Sequence, residues 1–243
     1  MRHPNIVEFS VVGDYALFSE PITRVGGEKC TYQIPTYEAL KGILSSVYWK
    51  PTIVWYIDKV RVMNPIRMEV KGIRTIKYND GSGVDRSYYT YLKDCRYQVS
   101  AHFEWNENRP ELIGDRNENK HHEIAKRMIE KGGRRDIFLG TRECQGYVEP
   151  CIFGEGDGAY DETSLISFGH MYHGITYPDE AFSDETKGKM TLNFWYPEMR
   201  NGIIIFPKPQ DCPNHKPLHE MKMKIFADNS GNFTGLREFG EVH

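Results

Sequence analysis

The chain has 243 residues, of which 39% are hydrophobic and 27% are charged, a composition typical of a globular protein with one large domain or two small ones. No stretch approaches the roughly 20 apolar residues of a membrane span, and the beginning of the chain lacks the apolar core of a signal peptide. The five cysteines are scattered without a C-x-x-C pair, which argues against a zinc site or a disulfide framework. We therefore expect a cytoplasmic protein with no membrane contact, no metal and no cofactor.

The charges are unevenly distributed, although the net charge is only −3. Residues 20–74 carry nine basic against five acidic side chains, and residues 116–142 carry eight against four. Residues 153–190 carry two lysines against eight acidic side chains. The basic segments fit either an ordinary solvated surface or a phosphate-binding face, whereas the acidic segment is expected to face protein partners or solvent.

The first third of the chain predicts a strand, a helix and a second strand. Residues 6–12 alternate apolar side chains with a period of two, which is typical of a strand. Apolar residues recur at helical spacing from Tyr37 to Val47, with Thr36 as a candidate N-cap and a proline beyond the end. The β-branched and aromatic residues 52–63 predict the second strand.

A hairpin is predicted next. In the segment 66–73, Ile66, Met68 and Val70 alternate with charged residues and are expected to point inward. The sequence NDGSG at 79–83 has the composition of a tight turn.

A long strand and a second helix follow. Residues 95–105 alternate most regularly, which predicts one apolar and one polar face. Residues 120–133 predict a helix that ends at Gly132, and residues 147–153 predict a short strand. The order β-α-β-hairpin-β-α-β is that of a ferredoxin-like unit, the architecture of RNA-recognition motifs.

The remainder of the chain predicts a smaller second unit. Short strand-like pieces occur at 165–177, 190–196 and 202–207, which indicates a small antiparallel sheet, and the last thirty residues are polar and are expected to be loosely held.

The predicted fold class is therefore α+β, with a ferredoxin-like N-terminal domain that carries a hairpin insertion. The expected boundaries are residues 1–153 for that domain, 154–226 for a small antiparallel β domain and 227–243 for a polar tail.

The segment GGRRDIFLGTRECQGYV, residues 132–148, combines glycines with three arginines; we call it the glycine–arginine loop. Glycines allow a backbone to reach positive φ, and successive free N–H groups in such a loop can bind an anion. Arg134, Arg135 and Arg142 add forked donors that match phosphate oxygens. A helix cap whose arginines pair with neighbouring carboxylates is the equally weighted alternative. Neither a P-loop nor a Rossmann fingerprint is present.

The sequence NKHHEI places Lys120, His121 and His122 at the start of the second helix. Helix-start amides attract phosphate, a lysine can neutralise developing charge, and a histidine can transfer protons near neutral pH. Because adjacent helix positions diverge by about 100°, the two histidines cannot face one site. Solvent-exposed histidines at a polar helix start are the more common alternative, and the pair is not a metal motif.

Four separated blocks resemble a known family: GDYALF, PTYEALKGILSSVYWKPTI, NKHHEI and KGGRRDIFLGTRECQGYV. Together they are similar to the Cas-five-d family, the type I-C CRISPR-associated endoribonuclease of the repeat-associated mysterious protein superfamily. The similarity extends from about residue 6 to residue 226, in the same order and with similar spacing.

The resemblance implies a specific activity. Members of this family cut the precursor CRISPR transcript at the 3′ base of each repeat hairpin, keep the 5′ handle and join the Cascade surveillance complex. Cleavage needs no metal, since the 2′-hydroxyl attacks the adjacent phosphate and leaves a 2′,3′-cyclic phosphate. The implied fold is a ferredoxin-like domain followed by a small β-sheet domain.

The resemblance also implies site residues. The family's catalytic tyrosine matches Tyr48, and its Lys-His pair matches Lys120 and His121. We expect His121 to act as a general acid or base and Lys120 to stabilise the transition-state charge. With an ordinary pKa near 10, Tyr48 would act as a base only if strongly perturbed, so orienting the 2′-hydroxyl is an equal alternative. His122 is expected to be a bystander. RNA contacts are expected from Lys41, Trp49, Lys50, Arg134, Arg135 and Arg142.

Other functions stay open at this point. One is a non-catalytic, handle-capping subunit of Cascade, and another is an unrelated RNA-binding module. The expected partners are precursor and mature CRISPR RNA together with the backbone and large subunits of Cascade. Contact with target DNA inside the complex is compatible with the resemblance, but no residue identifies it.

Overall fold

The computed structural model of the protein describes residues 4–76 and 83–223. The first seven elements are β1 Val7–Ala16, α1 Tyr37–Val47, β2 Ile53–Val62, β3 Arg67–Ile76, β4 Val84–Trp105, α2 Glu118–Glu130 and β5 Ile137–Phe138. The remaining elements are β6 Gln145–Pro150, β7 Ile166–Ser167, β8 Met171–Thr176, β9 Lys189–Trp195, β10 Glu198–Arg200, β11 Ile203–Ile205 and β12 Asn214–Glu220. Short 3-10 turns, among them Pro110–Asp115 and Pro178–Glu180, connect some of them.

Two antiparallel sheets organise the described residues. The larger has the strand order β5-β6-β1-β4-β2-β11-β10-β7, with β3 pairing β4 outside this path, and the smaller has the order β12-β9-β8. Helix α1 packs against β2 of the large sheet and β8 of the small sheet, and α2 packs against β1 and β6. The protein is therefore a mixed α and β structure of mostly antiparallel sheets, which confirms the predicted mixture of helices and antiparallel strands.

The first helix forms where its sequence predicts. The Thr36 side chain accepts a hydrogen bond from the Ala39 amide at 3.1 Å, which satisfies one of the unpaired N–H groups of the first turn. Its apolar stripe, including Leu40 and Leu44, is fully buried between the sheets. Burial of each such leucine contributes roughly 1.5–3 kcal/mol, so tertiary packing rather than helix propensity stabilises α1.

The second helix ends as expected. Gly132 has a φ of 78°, and its amide donates to the Ile129 carbonyl at 2.9 Å. A residue with a Cβ adopts this left-handed conformation only at a cost, so glycine ends the helix here.

The inward orientation predicted for the hairpin is wrong for Met68 and Val70, whereas Ile66 is partly buried and packs against the core. Met68 and Val70 are 44% and 61% exposed. The reason is that β3 pairs only with β4, and residues 84–89 of β4 pair with no second strand among the described residues. A two-stranded ribbon has no layer to cover it, so alternation alone does not imply burial. Of the turn predicted at 79–83, residues 79–82 lie outside the described residues.

The polar face of β4 is buried as well as the apolar one. Gln98, Ser100 and His102 are at most 5% exposed. The Gln98 amide donates to the Glu155 carbonyl at 2.7 Å and accepts from the Gly154 amide at 2.9 Å. The chain after β6 therefore packs on this face at Gln98 and satisfies its side-chain amide, whereas His102 pairs with Asp58 of β2.

Sheet pairing crosses the predicted domain boundary. Strands β7, β10 and β11 follow residue 153 and yet belong to the large sheet, whereas β8, β9 and β12 form the small one. The division after residue 153 stays a prediction.

The expectation of a loose C-terminal segment is wrong for residues 214–220. These residues form β12, which pairs with β9. Backbone hydrogen bonds to a neighbouring strand order a polar segment that buries little apolar surface. The predicted tail 227–243 lies outside the described residues.

The acidic segment does not face only partners or solvent. Glu180 forms an ion pair with Lys41, and Asp161 forms one with the buried Arg61, joined by an oxygen–nitrogen distance of 2.6 Å. Part of the acidic charge therefore neutralises basic residues of the first half of the chain.

Candidate active site

Tyr48 and His121 come together although 73 residues separate them in sequence. The Tyr48 Oη atom lies 2.7 Å from His121 Nδ1. Tyr48 is the C-terminal cap of α1, and its carbonyl accepts from the Trp55 indole at 2.7 Å, which fixes the phenol at the helix end. His121 lies in the first turn of α2, where Asn117 is the N-cap.

The hydrogen bonds of His121 define its tautomer. Its Nε2 atom lies 2.8 Å from the backbone carbonyl oxygen of Asp115. Because a carbonyl oxygen only accepts, Nε2 carries the proton in the neutral ring. The unprotonated Nδ1 atom therefore accepts the hydrogen bond that the Tyr48 hydroxyl donates.

Asp115 connects the remaining members of the site. Its carboxylate accepts from Lys120 Nζ at 2.5 Å and from Thr52 Oγ1 at 2.9 Å, and it lies 3.5 Å from His121 Nε2. Partial burial raises the pKa of this carboxyl, but hydrogen bonds from Lys120 and Thr52 and the nearby positive charges lower it more, so the pKa lies below its ordinary value. Asp115 is thus ionised at neutral pH and supports positive charge on His121.

The Tyr48 phenol stays neutral. Burial, together with the negative charge of Asp115, raises its pKa to about 12, and the positive charge of Arg134 only partly offsets this. Tyr48 is therefore poised to donate a hydrogen bond and not to act as a free phenolate.

The three predicted site residues differ in their exposure to solvent. His121 is fully buried and Tyr48 is 3% exposed, whereas the Lys120 side chain is 48% exposed. The rings of Phe103 and Trp105 lie edge-on to His121 at centroid distances of 6.1 and 5.7 Å. The alternative prediction for this helix start, solvent-exposed histidines, is therefore wrong for His121.

His122 points elsewhere. Its Nε2 atom lies 3.0 Å from the Ile6 carbonyl oxygen, next to β1. The two histidines therefore face different directions, as predicted from their adjacent positions on the helix, and the bystander role of His122 stays a prediction.

A cleft of about 340 Å³ runs along α1 and is lined by Trp49, the residue that follows Tyr48; we call it the α1 cleft. Four of the predicted RNA contacts line it: Lys41, Trp49, Arg134 and Arg135. The two arginines are exposed, whereas Lys41 is only 8% exposed and forms its ion pair with Glu180. The other two predicted contacts, Lys50 and Arg142, are exposed and lie outside this cleft.

The backbone amides of the glycine–arginine loop are not available to phosphates at its start. The amides of Gly132 and Gly133 donate to α2 carbonyls, and those of Arg134 and Arg135 both donate to the Ser46 carbonyl at 3.2 and 3.1 Å. The expectation that these amides hold phosphates is wrong, because they dock the loop against the end of α1. Phosphate contacts here depend on the arginine side chains.

Sequence reasoning missed Asp115. It precedes the NKHHEI block and is one acidic residue among 34 Asp and Glu. An acidic residue five positions before a Lys-His pair was the only signal in the sequence, and that spacing is common in loops before helices.

Two negative observations concern the described residues 4–76 and 83–223. They include no group of three or more His, Cys, Asp or Glu side chains arranged to hold a metal ion. No helix among them is both long and apolar enough to span a membrane.

Comparison with known proteins establishes the family. The family model Cas_Cas5d, described as "CRISPR-associated protein (Cas_Cas5)", matches residues 6–207. The chain therefore belongs to the Cas5d family of CRISPR-associated proteins, the one written Cas-five-d above.

Individual relatives agree with this assignment. The chain is 31% identical to "CRISPR pre-crRNA endoribonuclease Cas5d" of Mannheimia succiniciproducens, covering 84% of this chain and 95% of the relative. It is 28% identical to the protein of the same name from Thermus thermophilus, with 83% and 91% covered. A solved structure titled "Crystal Structure of CRISPR-associated Protein" superposes with a TM-score of 0.72 at 34% identity, over 87% of this chain and 96% of the other.

Proposed function

We propose that this chain is an endoribonuclease that cuts precursor CRISPR RNA at the 3′ base of the repeat hairpin without a metal ion. Attack by the 2′-hydroxyl leaves a 2′,3′-cyclic phosphate, and the protein then keeps the 5′ handle as a subunit of type I-C Cascade. The observation that carries the proposal is the hydrogen-bonded chain Tyr48–His121–Asp115, which sits in a member of a family whose relatives bear the name of that activity.

The geometry supports a proton relay. The Tyr48 hydroxyl donates to His121 Nδ1, so the lone pairs of its oxygen are free to accept from the 2′-hydroxyl of the RNA. As the 2′-oxygen bonds to phosphorus, its proton passes to Tyr48 while the phenolic proton passes to Nδ1. No free phenolate forms, which the raised pKa of Tyr48 would disfavour.

Two charged groups assist the remaining steps. The imidazolium that forms at His121 is stabilised by the Asp115 carbonyl and carboxylate. Lys120, which is half exposed, neutralises the added charge on the phosphorane, and the departing 5′-oxygen takes a proton from water as its bond to phosphorus breaks. His121 thus acts on the RNA through Tyr48.

The expected fold and partners fit this proposal. Within the large sheet, β6-β1-β4-β2 are adjacent and α1 and α2 connect them, which supports the ferredoxin-like description. The exposed arginines of the α1 cleft support RNA contact. The backbone and large subunits of Cascade, and target DNA within it, remain the proposed partners.

One observation favours a second candidate, a non-catalytic subunit that caps the handle. Tyr48 and His121 are buried, so the RNA must shift neighbouring side chains before a 2′-hydroxyl reaches the phenol. In that case the Tyr48–His121 contact would only join α1 to α2.

The decisive experiment incubates the purified chain with its repeat hairpin RNA in EDTA and analyses the ends of the products. Tyr48→Phe keeps the ring and removes only the hydroxyl, and Tyr196→Phe, at an exposed position, is its matched control. We expect cutting with a cyclic phosphate by the parent and the control, and loss of cutting with retained RNA binding in Tyr48→Phe and His121→Ala. Tight binding without cutting by the parent protein would establish the capping subunit instead.

A further inference from the structure

The α1 cleft has the size of a single nucleotide. Its volume of about 340 Å³ lies at the lower end of the range for small-ligand sites. It adjoins the proposed reacting group, because Trp49 lines the cleft and follows Tyr48 in the chain, and Arg134 both lines it and acts electrostatically on Tyr48. A ligand held there lies next to the phosphate that Tyr48 would serve.

The cleft has two walls of opposite charge. Arg134 and Arg135 form the basic side. The acidic wall carries Glu38, Asp179 and Glu180, of which Glu180 is paired with the lining residue Lys41. Arginines match phosphate oxygens, whereas ionised carboxylates only accept hydrogen bonds and therefore select a ligand that presents N–H donors.

The acidic wall is held in place by the rest of the fold. The Glu38 carboxylate accepts from the Ile175 amide of β8 at 3.0 Å. The Asn108 side-chain amide donates to the carbonyls of Asp179 and Ala181 at 3.3 and 3.0 Å, which anchors the turn that carries two of the acids. Glu180 is paired with Lys41, and one Asp179 oxygen lies 3.7 Å from Arg109, so these contacts engage one oxygen of each of the three carboxylates.

The floor of the cleft consists of small residues of α1: Gly42, Ser45 and Ser46. They follow each other at i, i+3 and i+4 and so lie on one face of the helix. A Cβ at Gly42 would have nothing within 4 Å, so packing does not require glycine there. Glycine disfavours a helix interior, and its effect at this position is to keep the cleft open.

We propose that the α1 cleft is a nucleotide subsite that holds one RNA nucleotide beside the cut, with its phosphate on the arginines and an amino-bearing base against the acidic wall. Guanine, cytosine and adenine each present an exocyclic amino group to an acceptor. Uracil presents a single N–H between two carbonyls, which the carboxylates repel. The subsite rests on the proposed RNA-processing function and adds a base preference to it.

The test is a titration of the isotope-labelled chain with each of the four ribonucleoside 5′-monophosphates, followed by NMR. The signals of Gly42, Ser46 and the Trp49 indole report the cleft directly. We expect GMP, CMP and AMP to shift them with at least fivefold higher affinity than UMP. Gly42→Leu, which fills the cleft with a better helix former, should abolish these shifts, whereas Gly26→Leu, at another glycine with open space around it, should leave them unchanged.

A second variant tests the acidic wall itself. Asp179→Asn replaces an acceptor by a group that also donates, so the discrimination against UMP should fall at least threefold while GMP still binds. Equal affinity for all four nucleotides, or shifts that persist in Gly42→Leu, would overturn the subsite. Because this readout is binding in the absence of cleavage, its failure is separate from failure of the RNA-cutting assay above.

Discussion

His173 makes the stability of this protein depend on pH in a calculable way. Its ring is fully buried, stacks on Tyr37 with the ring centroids 4.2 Å apart, and meets Trp195 edge-on at 5.5 Å. Nε2 donates to the Pro207 carbonyl at 3.1 Å. Burial lowers the pKa of His173 to about 3, from an ordinary value of 6.5; the hydrogen bond to Pro207 opposes this shift, and the positive charges of Lys41 and His215 add to it.

The sign and size follow from proton linkage. Between about pH 3 and pH 6.5 the unfolded chain binds one more proton at this residue than the folded chain does. The contribution of the neutral, buried His173 to the free energy of unfolding is therefore complete above pH 6.5. It is lost as pH falls, at about 1.4 kcal/mol per pH unit. Between pH 7.5 and pH 5.5 the free energy of unfolding should decrease by roughly 1.3 kcal/mol through His173 alone.

The assay is urea unfolding at pH 7.5, 6.5 and 5.5 of the parent protein and of His173→Gln. Glutamine cannot titrate but can still donate to the Pro207 carbonyl, so the variant is less stable at every pH and should lack this part of the pH dependence. His219→Gln, at an exposed position, controls for the substitution. The reasoning is refuted if the stability difference between parent and His173→Gln is the same at all three pH values.

Three further outcomes are expected. Tyr48→Phe leaves Nδ1 of the buried His121 without its donor and should lower the free energy of unfolding in urea by about 1–3 kcal/mol; an unchanged value would show that the contact is not formed. Replacing both arginines of the α1 cleft by alanine should reduce the slope of log affinity for RNA against log salt by about 1.5, measured by filter binding, if both contact phosphates. Gly140→Ala should cost at least about 2 kcal/mol in the same urea assay, since its φ is 95° and a Cβ there would lie 2.1 Å from a neighbouring carbonyl oxygen, whereas Gly26→Ala in open space should change little.

The sequence alone determined those helices and strands that are specified by capping residues and by periodicity over a few neighbouring positions. The boundaries of α1 follow from apolar residues at helical spacing and from the Thr36 cap, and the end of α2 follows from Gly132. Strand alternation predicted β1 and the second half of β4, and β-branched and aromatic composition predicted β2. The four blocks of family resemblance predicted Tyr48, Lys120 and His121 as site residues, and the structure brings Tyr48 and His121 into contact and joins Lys120 to them through Asp115.

Tertiary structure alone decided what each of these elements meets. Alternation in β3 resembles that of a buried strand, yet Val70 is exposed because β3 pairs only with β4, outside the main path of the large sheet. Three features of the site depend on contacts between segments that lie far apart in sequence. These are the burial of His121, the contacts through which Asp115 links Lys120 to His121, and the acidic wall of the α1 cleft. Periodicity and capping report interactions over about one helical turn or two strand residues, whereas a side chain's partner, and with it the side chain's charge state, is set by whichever segment the fold brings opposite it.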